Sequence, residues 1–335
     1  MTWLAMSADS YSHTTDMASH VPTNTEMTTT STRLDELTYV RHDESLANHT
    51  TMKVGGAARW LAMPNNEDEL VAVLEAAWRD GVRVQNLGGG SNMVASDAGF
   101  DGVVLKLGNG FATQRVDNDL LIAGGAAYLP KLTHFAVKNK LGNFEWACGI
   151  PGHVGGSVWG NAGARGFNGH GFESRDAQAD LVSVTVFDRS GARRVLERRD
   201  LEFAYRKSSL GDLIVTEAVF KLKPLSETEA KRHAEAVAEL LQIRRKTQPV
   251  NVPSAGCAWK NPQVDGCAGA GQLIEQMGLK GYQVGGAQIS PVHANFVTNV
   301  HGASGYDVRA LLQNVEDRVL EVRGIQLERE VRLLD

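Results

Sequence analysis

Two dense glycine blocks constrain this chain more than any other feature. One is Leu87-Gly88-Gly89-Gly90-Ser91-Asn92; the other is Gly149-Ile150-Pro151-Gly152-His153-Val154-Gly155-Gly156-Ser157, which continues into Asn161-Ala162-Gly163. Glycine reaches positive φ without steric cost and lets other backbone approach closely. A run of glycines can turn sharply and aim successive N–H groups at an oxygen-rich anion. The first block follows an apolar run, Val82 to Leu87, that reads as a strand, and Ser91 and Asn92 add side-chain donors at the turn. Either block alone reads equally well as a tight turn. Two of them, each beside an apolar segment, hold more consecutive glycines than turn chemistry requires. The pattern points to a nucleotide whose phosphates lie against backbone.

The spacing excludes the common nucleotide motifs. Gly-Gly-Gly-Ser-Asn lacks the Gly-x-Gly-x-x-Gly of a dinucleotide fold, and no Gly-Lys-Ser/Thr closes a P-loop. A kinase, an ATPase or a doubly wound dinucleotide fold is therefore not supported.

At 335 residues the chain has room for two or three domains with their own cores. A formal net charge of -5 argues against a nucleic-acid partner, which needs a concentrated basic face. Arg193-Arg194 and Arg198-Arg199 flank a hairpin and read as solvated, whereas Arg244-Arg245-Lys246 closes a helix. Cys148, Cys257 and Cys267 form neither a metal spacing nor a disulfide framework, so no metal and a cytoplasmic location are expected. No apolar stretch is long enough to span a bilayer. Residues 1–44 read as a disordered extension. Its first part, to about Arg33, is rich in Thr, Ser, His and Met, lacks the basic start and apolar core of a signal peptide, and offers Met6, Met17 and Met27 as later starts.

Three further segments follow. Residues 45–110 form a small α/β unit: Leu70, Val71, Val73, Leu74, Ala77 and Trp78 recur at helical spacing behind Glu67 and Asp68, which favour the helix dipole. Strands are expected at 82–87 and 103–107. Residues 111–225 are mixed, with a strand at 120–123, a helix at 128–140, a hairpin from 181–187 to 194–196, and a strand at 213–222. Residues 226–335 open on a long helix to Arg245 and carry two more helices around a strand near 294–298.

Four residues outside the glycine blocks invite chemistry, and each has a bland reading beside it. Arg206, in Phe203-Ala204-Tyr205-Arg206-Lys207-Ser208, can fork onto a carboxylate or simply be a surface arginine. Cys257 sits in a Gly/Pro loop, where a thiol of ordinary pKa ~8.5 is a proton source or an inert buried side chain. Glu330 alternates with apolar neighbours and reads as solvated, and Lys246 reads as a helix end or a phosphate contact.

Taken in order, seven blocks resemble the UDP-N-acetylenolpyruvoylglucosamine reductases of peptidoglycan synthesis. They are NHTTMKVGGAA, LGGGSN, GIPGHVGGSVWGNAGARG, FAYRKSS, PSAGCAWKNP, LKGYQVGGAQISPVHANFVTN and LEREVR, and they span about Asn48 to Leu334. The resemblance implies an α+β protein: a two-part FAD-binding module of the vanillyl-alcohol-oxidase-like type (residues 45–110 and 111–225) and a C-terminal α/β substrate-binding domain (residues 226–335). It implies non-covalent FAD, with the diphosphate on Gly88, Gly89, Gly90, Ser91 and Asn92 and with Gly55, Ile150, Gly152, Gly156 and Ser157 nearby. NADPH would reduce flavin N5, and the reduced flavin would pass hydride to the vinyl carbon of the enolpyruvyl ether of UDP-N-acetylglucosamine.

Arg206 and Glu330 fall where the family holds and polarises the substrate carboxylate. Cys257 falls where it places the proton donor, which is serine in many members. Lys246, Lys260, Asn261 and His293 fall in or near blocks that contact the diphosphate and sugar. The chain passes from Pro224 straight into the helix at Glu227, so it resembles the shorter subtype without the tyrosine-bearing loop. His153 is expected to mark close backbone approach, with an incidental side chain. A monomer, free of membrane and nucleic acid, is expected. Two alternatives stay open: a sugar or alcohol oxidase on the same flavin scaffold, and a nucleotide-sugar binder without turnover.

Overall fold

Leu70, Val73, Leu74 and Ala77 are the buried stripe of α1 (Glu67–Arg79) in the computed structural model, which describes residues 33–264, 266 and 269–335. Asn66 caps the helix, its Oδ1 accepting from the Glu69 amide at 2.8 Å, and Glu67, Asp68 and Glu69 fill the first turn. The stripe packs against Trp60, Val103 and Leu105 of a four-stranded sheet. Its order is Val40–Ser45, Ala57–Ala62, Phe100–Leu105, Val84–Asn86, with the last three strands parallel.

The expected disordered extension ends earlier: Arg33–Glu36 form a short helical turn with Leu34 buried, and the strand Val40–Ser45 pairs antiparallel to Ala57–Ala62. Only Val40 of this edge strand is fully buried, so its sequence carries no apolar alternation to read. The extension as far as residue 32, and Cys267, lie outside the described residues.

The middle of the chain forms a five-stranded antiparallel sheet, ordered Arg193–Glu197, Leu181–Phe187, Ile214–Lys221, Leu120–Gly124, Gln114–Asp117. α2 (Leu129–Lys138) and the short α3 (Val154–Trp159) share its core through Leu129, Leu132, Ala136, Val154 and Val158. The second glycine block runs through α3. A Cβ at Gly155 would lie 3.0 Å from Val215 O, so this helix sits on the sheet as closely as glycine allows.

α4 (Glu227–Thr247) starts on a capping box between Ser226 and Glu229 and runs for about 30 Å at the usual rise per residue. Beyond it, Ser254–Cys257, Phe296–Asn299, Ala287–Ile289 and Gln283–Val284 make an antiparallel sheet. α5 (Ala270–Gln276) and α6 (Gly305–Arg323) share that sheet's core through Ile274, Val308, Leu311 and Val315. This core also takes in Met52, Val54 and Val94, so apolar packing is continuous across the expected domain boundaries. The last strand, Arg332–Leu334, pairs in parallel with Met93–Ala95. That long-range pairing returns the chain end to the first glycine block.

Candidate active site

Gly90 has φ +66°, and a Cβ there would lie 2.1 Å from His49 O, so glycine is required at this turn. A Cβ on Gly89 would come within 3.3 Å of Gly152 Cα, and one on Gly152 within 3.2 Å of Ser91 Oγ. The two glycine blocks therefore face each other across a narrow gap. Directions away from Gly88 and Gly156 open into free space, and Ser157 Oγ is buried without a partner among the described residues. Backbone walls, free space and an orphan hydroxyl fit a phosphate-bearing cofactor.

Other expected cofactor residues serve the scaffold. Gly55 lets its segment lie against Ala95, and Ile150 packs on the central core. Asn92 Nδ2 donates to Glu330 O at 3.1 Å, and the Arg332 amide donates to Asn92 O at 3.0 Å. The first glycine block thus ends in a clamp on the segment that carries Glu330.

Arg206 occupies the turn between Phe203–Ala204 and Lys207–Ser208 with φ +56°, the left-handed region that non-glycine residues rarely adopt. Its Nε donates to Glu330 Oε1 at 2.9 Å, one terminal nitrogen donates to Gly163 O at 2.8 Å, and its guanidinium lies 5.0 Å from the Tyr205 ring centroid. Residues 124 apart in sequence thus meet as a hydrogen-bonded pair with side chains only 24% and 18% exposed. Burial raises the Glu330 pKa, outweighing the pull of Arg206 and Lys260 in the other direction. Glu330 lies in the bend before the last strand, not in an outward strand position, and its amide donates to Ala258 O at 2.8 Å.

Cys257 ends the strand Ser254–Cys257, next to Gly256 (φ +75°), whose Cβ direction points at Ser91 O 3.6 Å away. Burial pushes its thiol up to about 12; Glu330 adds to the rise while Arg206 and Arg244 oppose it. Such a thiol keeps its proton near neutral pH, which suits a proton donor and not a thiolate nucleophile.

Arg244 was not singled out from the sequence. It lies over Gly149, where a Cβ would come within 2.1 Å of its Cδ, and its charge reaches both Cys148 and Cys257. No carboxylate pairs with it among the described residues. The signal was available: His233, Val237 and Leu240 mark the buried face of α4, and residue 244 lies one turn beyond Leu240 on that face. Lys246, two residues on, is exposed on the last turn.

Lys260 Nζ donates to Glu328 Oε1 at 2.5 Å, and its charge reaches Glu330. Asn261 Oδ1 accepts from the Ala270 amide at 3.1 Å, at the start of α5. His293 Nδ1 accepts from the Asn295 amide at 3.1 Å, and its ring meets Phe296 edge-on. Burial, with help from Lys280, lowers its pKa. Neither Asn261 nor His293 is hydrogen-bonded to Arg206, Cys257 or Glu330. His153 sits beside the close backbone approach of Gly89 and Gly152, its Cδ2 3.6 Å from the Cβ position of Gly89, so its ring borders the glycine gap.

Residues 58–196 match the FAD binding domain family, and residues 248–334 match the C-terminal domain of UDP-N-acetylenolpyruvoylglucosamine reductase. A UDP-N-acetylenolpyruvoylglucosamine reductase from Heliobacterium modesticaldum is 40% identical over 294 residues, 87% of this chain and 89% of that protein. The chain belongs to the UDP-N-acetylenolpyruvoylglucosamine reductase family. A second reductase of that name, from Bacillus pumilus, is 36% identical over 88% of this chain and 94% of its own. The crystal structure of the Thermus caldophilus reductase superposes with a TM-score of 0.73 at 34% identity, covering 89% of this chain and 100% of that one. The α+β fold, an FAD-binding module followed by the reductase C-terminal domain, rests on the same matches. Membership in the reductase family sets aside the oxidase alternative.

Proposed function

We propose that the protein reduces the enolpyruvyl ether of UDP-N-acetylglucosamine to UDP-N-acetylmuramate, a peptidoglycan precursor, at the expense of NADPH. The observation that carries this reading is the largely buried Arg206–Glu330 pair beside the Cys257 thiol, joined to the first glycine block through Asn92 and Ser91. FAD bound between those blocks supplies the hydride transfer from NADPH to the vinyl carbon of the substrate. Arg206, anchored on two sides, presents its remaining N–H groups to the substrate carboxylate without having to reorganise. Glu330, whose proton burial helps to retain, donates to the oxygen on which enolate charge grows. Cys257 Sγ hands its proton to the α-carbon, and Arg206 and Arg244 stabilise the thiolate left behind. Lys246, Lys260, Asn261 and His293 serve the diphosphate and sugar in the same reading.

The division of labour is FAD binding by residues 45–110 and 111–225 and substrate binding by residues 226–335. A monomer in the cytoplasm completes the reading. Among the described residues no helix is long and apolar enough to cross a membrane.

The test follows the flavin absorbance of the purified protein under anaerobic conditions. NADPH should bleach the yellow band and the enolpyruvyl sugar nucleotide should restore it. Bleaching without recovery on that nucleotide would sink the proposed substrate.

The pH dependence of the second step is a further expectation. A carboxyl with a raised pKa keeps its proton to higher pH, so the donor form is complete at low pH and is lost as pH rises through the raised value. Reoxidation by the sugar nucleotide should therefore decline on the alkaline side of that value. Glu330→Gln, which cannot titrate, should slow the step and flatten that limb. An unchanged profile in the variant would assign the limb to another group.

A further inference from the structure

Beside the glycine gap lies a group of basic side chains that the reduction chemistry does not use. Leu87 N donates to Leu105 O at 2.8 Å, which sets Lys106 next to the start of the first glycine block. Lys106 Nζ lies 3.4 Å from His49 Nδ1, and His49 Nε2 lies 2.9 Å from Glu44 Oε1. An ammonium only donates, so Nδ1 accepts and Nε2 carries the proton that goes to Glu44. Glu44, His49 and Lys106 thus form a chain that orients the ammonium. The chain is fixed to the gap itself, because the His49 carbonyl lies directly under Gly90. His153 faces the same gap at Gly89.

No carboxylate pairs with Lys106 among the described residues. Among the described residues the half-buried ammonium has His49 as its hydrogen-bond partner, which leaves two of its N–H groups over, and its charge interacts with Lys53 and His153. Burial and the neighbouring Lys53 lower its pKa, and burial and Lys106 lower that of His153. Lys106 and Lys53 are like charges beside a backbone gap, and an anion bound in the gap would balance them.

We propose that Lys106, oriented by His49 and Glu44, together with His153, grips the diphosphate of the flavin from the side of the gap opposite the backbone amides. This rests on the reading of the glycine blocks as the FAD site. The ligand chemistry is a dinucleotide diphosphate; the other phosphate sources in this enzyme are NADPH and the diphosphate of the sugar nucleotide, and the experiment separates both from FAD.

Apoprotein of the full chain and its Lys106→Met variant are titrated with FAD and with riboflavin, following flavin fluorescence, at low and at high salt. Hydrogen bonds to charged groups of this kind are worth about 1.5–3 kcal/mol, so the variant should bind FAD about tenfold or more weakly at low salt. The difference should shrink at high salt, and riboflavin, which has no phosphate, should bind both proteins equally. Equal FAD affinity overturns the proposal. Equal loss for riboflavin also overturns it, because the effect is then a disturbed fold; the apoprotein melting temperature checks the same point. A variant with normal FAD affinity but a raised KM for NADPH, or for the enolpyruvyl sugar nucleotide, assigns the cation to that substrate and again overturns it. If the unaltered apoprotein binds no FAD, the FAD reading falls with it. That outcome is distinct from all the others.

Discussion

Cys257→Ala is expected to bleach with NADPH at the rate of the unaltered protein, then to regain its colour about 10²- to 10⁴-fold more slowly on the enolpyruvyl sugar nucleotide, the range that a positioned general acid contributes. The split follows from what the thiol faces. It lies beside the Arg206–Glu330 pair, which the first half-reaction does not call on, and its proton is useful only once hydride has reached the substrate. Cys257→Ser keeps a hydroxyl proton donor at the same place and should recover much of the second step. Alkylation gives an independent readout. With the thiol pushed up to about 12, little thiolate exists near neutral pH, so iodoacetamide should inactivate slowly and faster as pH rises. Rapid alkylation at neutral pH would mean that burial does not hold the proton there. Reoxidation of the alanine variant at the unaltered rate would remove Cys257 from the chemistry altogether.

The helices were legible because their signals are local. The stripe Leu70, Val73, Leu74, Ala77 and the break at Pro224 before the helix at Glu227 are both local, and α1 and α4 form where those signals place them. The hairpin Leu181–Phe187 with Arg193–Glu197 was equally local. The site is a different matter. Arg206 meets Glu330 only because Arg332–Leu334 pairs with Met93–Ala95, a contact between two three-residue strands more than 230 positions apart. Such short strands carry no period. Motif order pointed to both residues, but nothing in the local sequence shows that they touch. Arg244 was hidden for another reason: Arg244-Arg245-Lys246 reads in sequence as a run of charge, whereas the place of Arg244 on the buried face of α4 decides where the guanidinium goes. The polar edge strand Val40–Ser45 left no alternation to find.

The second large effect lies away from the chemistry, at a buried pair that neither composition nor motif revealed. His233 on α4 and Glu145, just before the second glycine block, are 1% and 0% exposed, and His233 Nδ1 lies 2.6 Å from Glu145 Oε1. Among the described residues, His233 Nε2 and Glu145 Oε2 have no hydrogen-bond partner, so each side chain is satisfied by the other alone. The Phe167 ring packs on the His233 ring at 5.0 Å and helps to exclude water. Removing one partner of such a pair strands a polar group in the core and costs about 3–5 kcal/mol. At roughly 2–4 °C per kcal/mol for chains of this general size, His233→Ala or Glu145→Ala should lower the melting temperature by about 10 °C. Replacing both partners with apolar residues of similar volume, as in His233→Leu with Glu145→Met, removes the stranded group and should recover most of that loss. The pair ties α4, which carries Arg244, to the segment that leads into Gly149. The single variants should therefore also slow reoxidation by the sugar nucleotide more than they weaken FAD binding. A double variant as unstable as the summed singles would show that the two side chains are not coupled, and the anchoring of α4 would then have to come from the Val237 and Leu240 contacts alone.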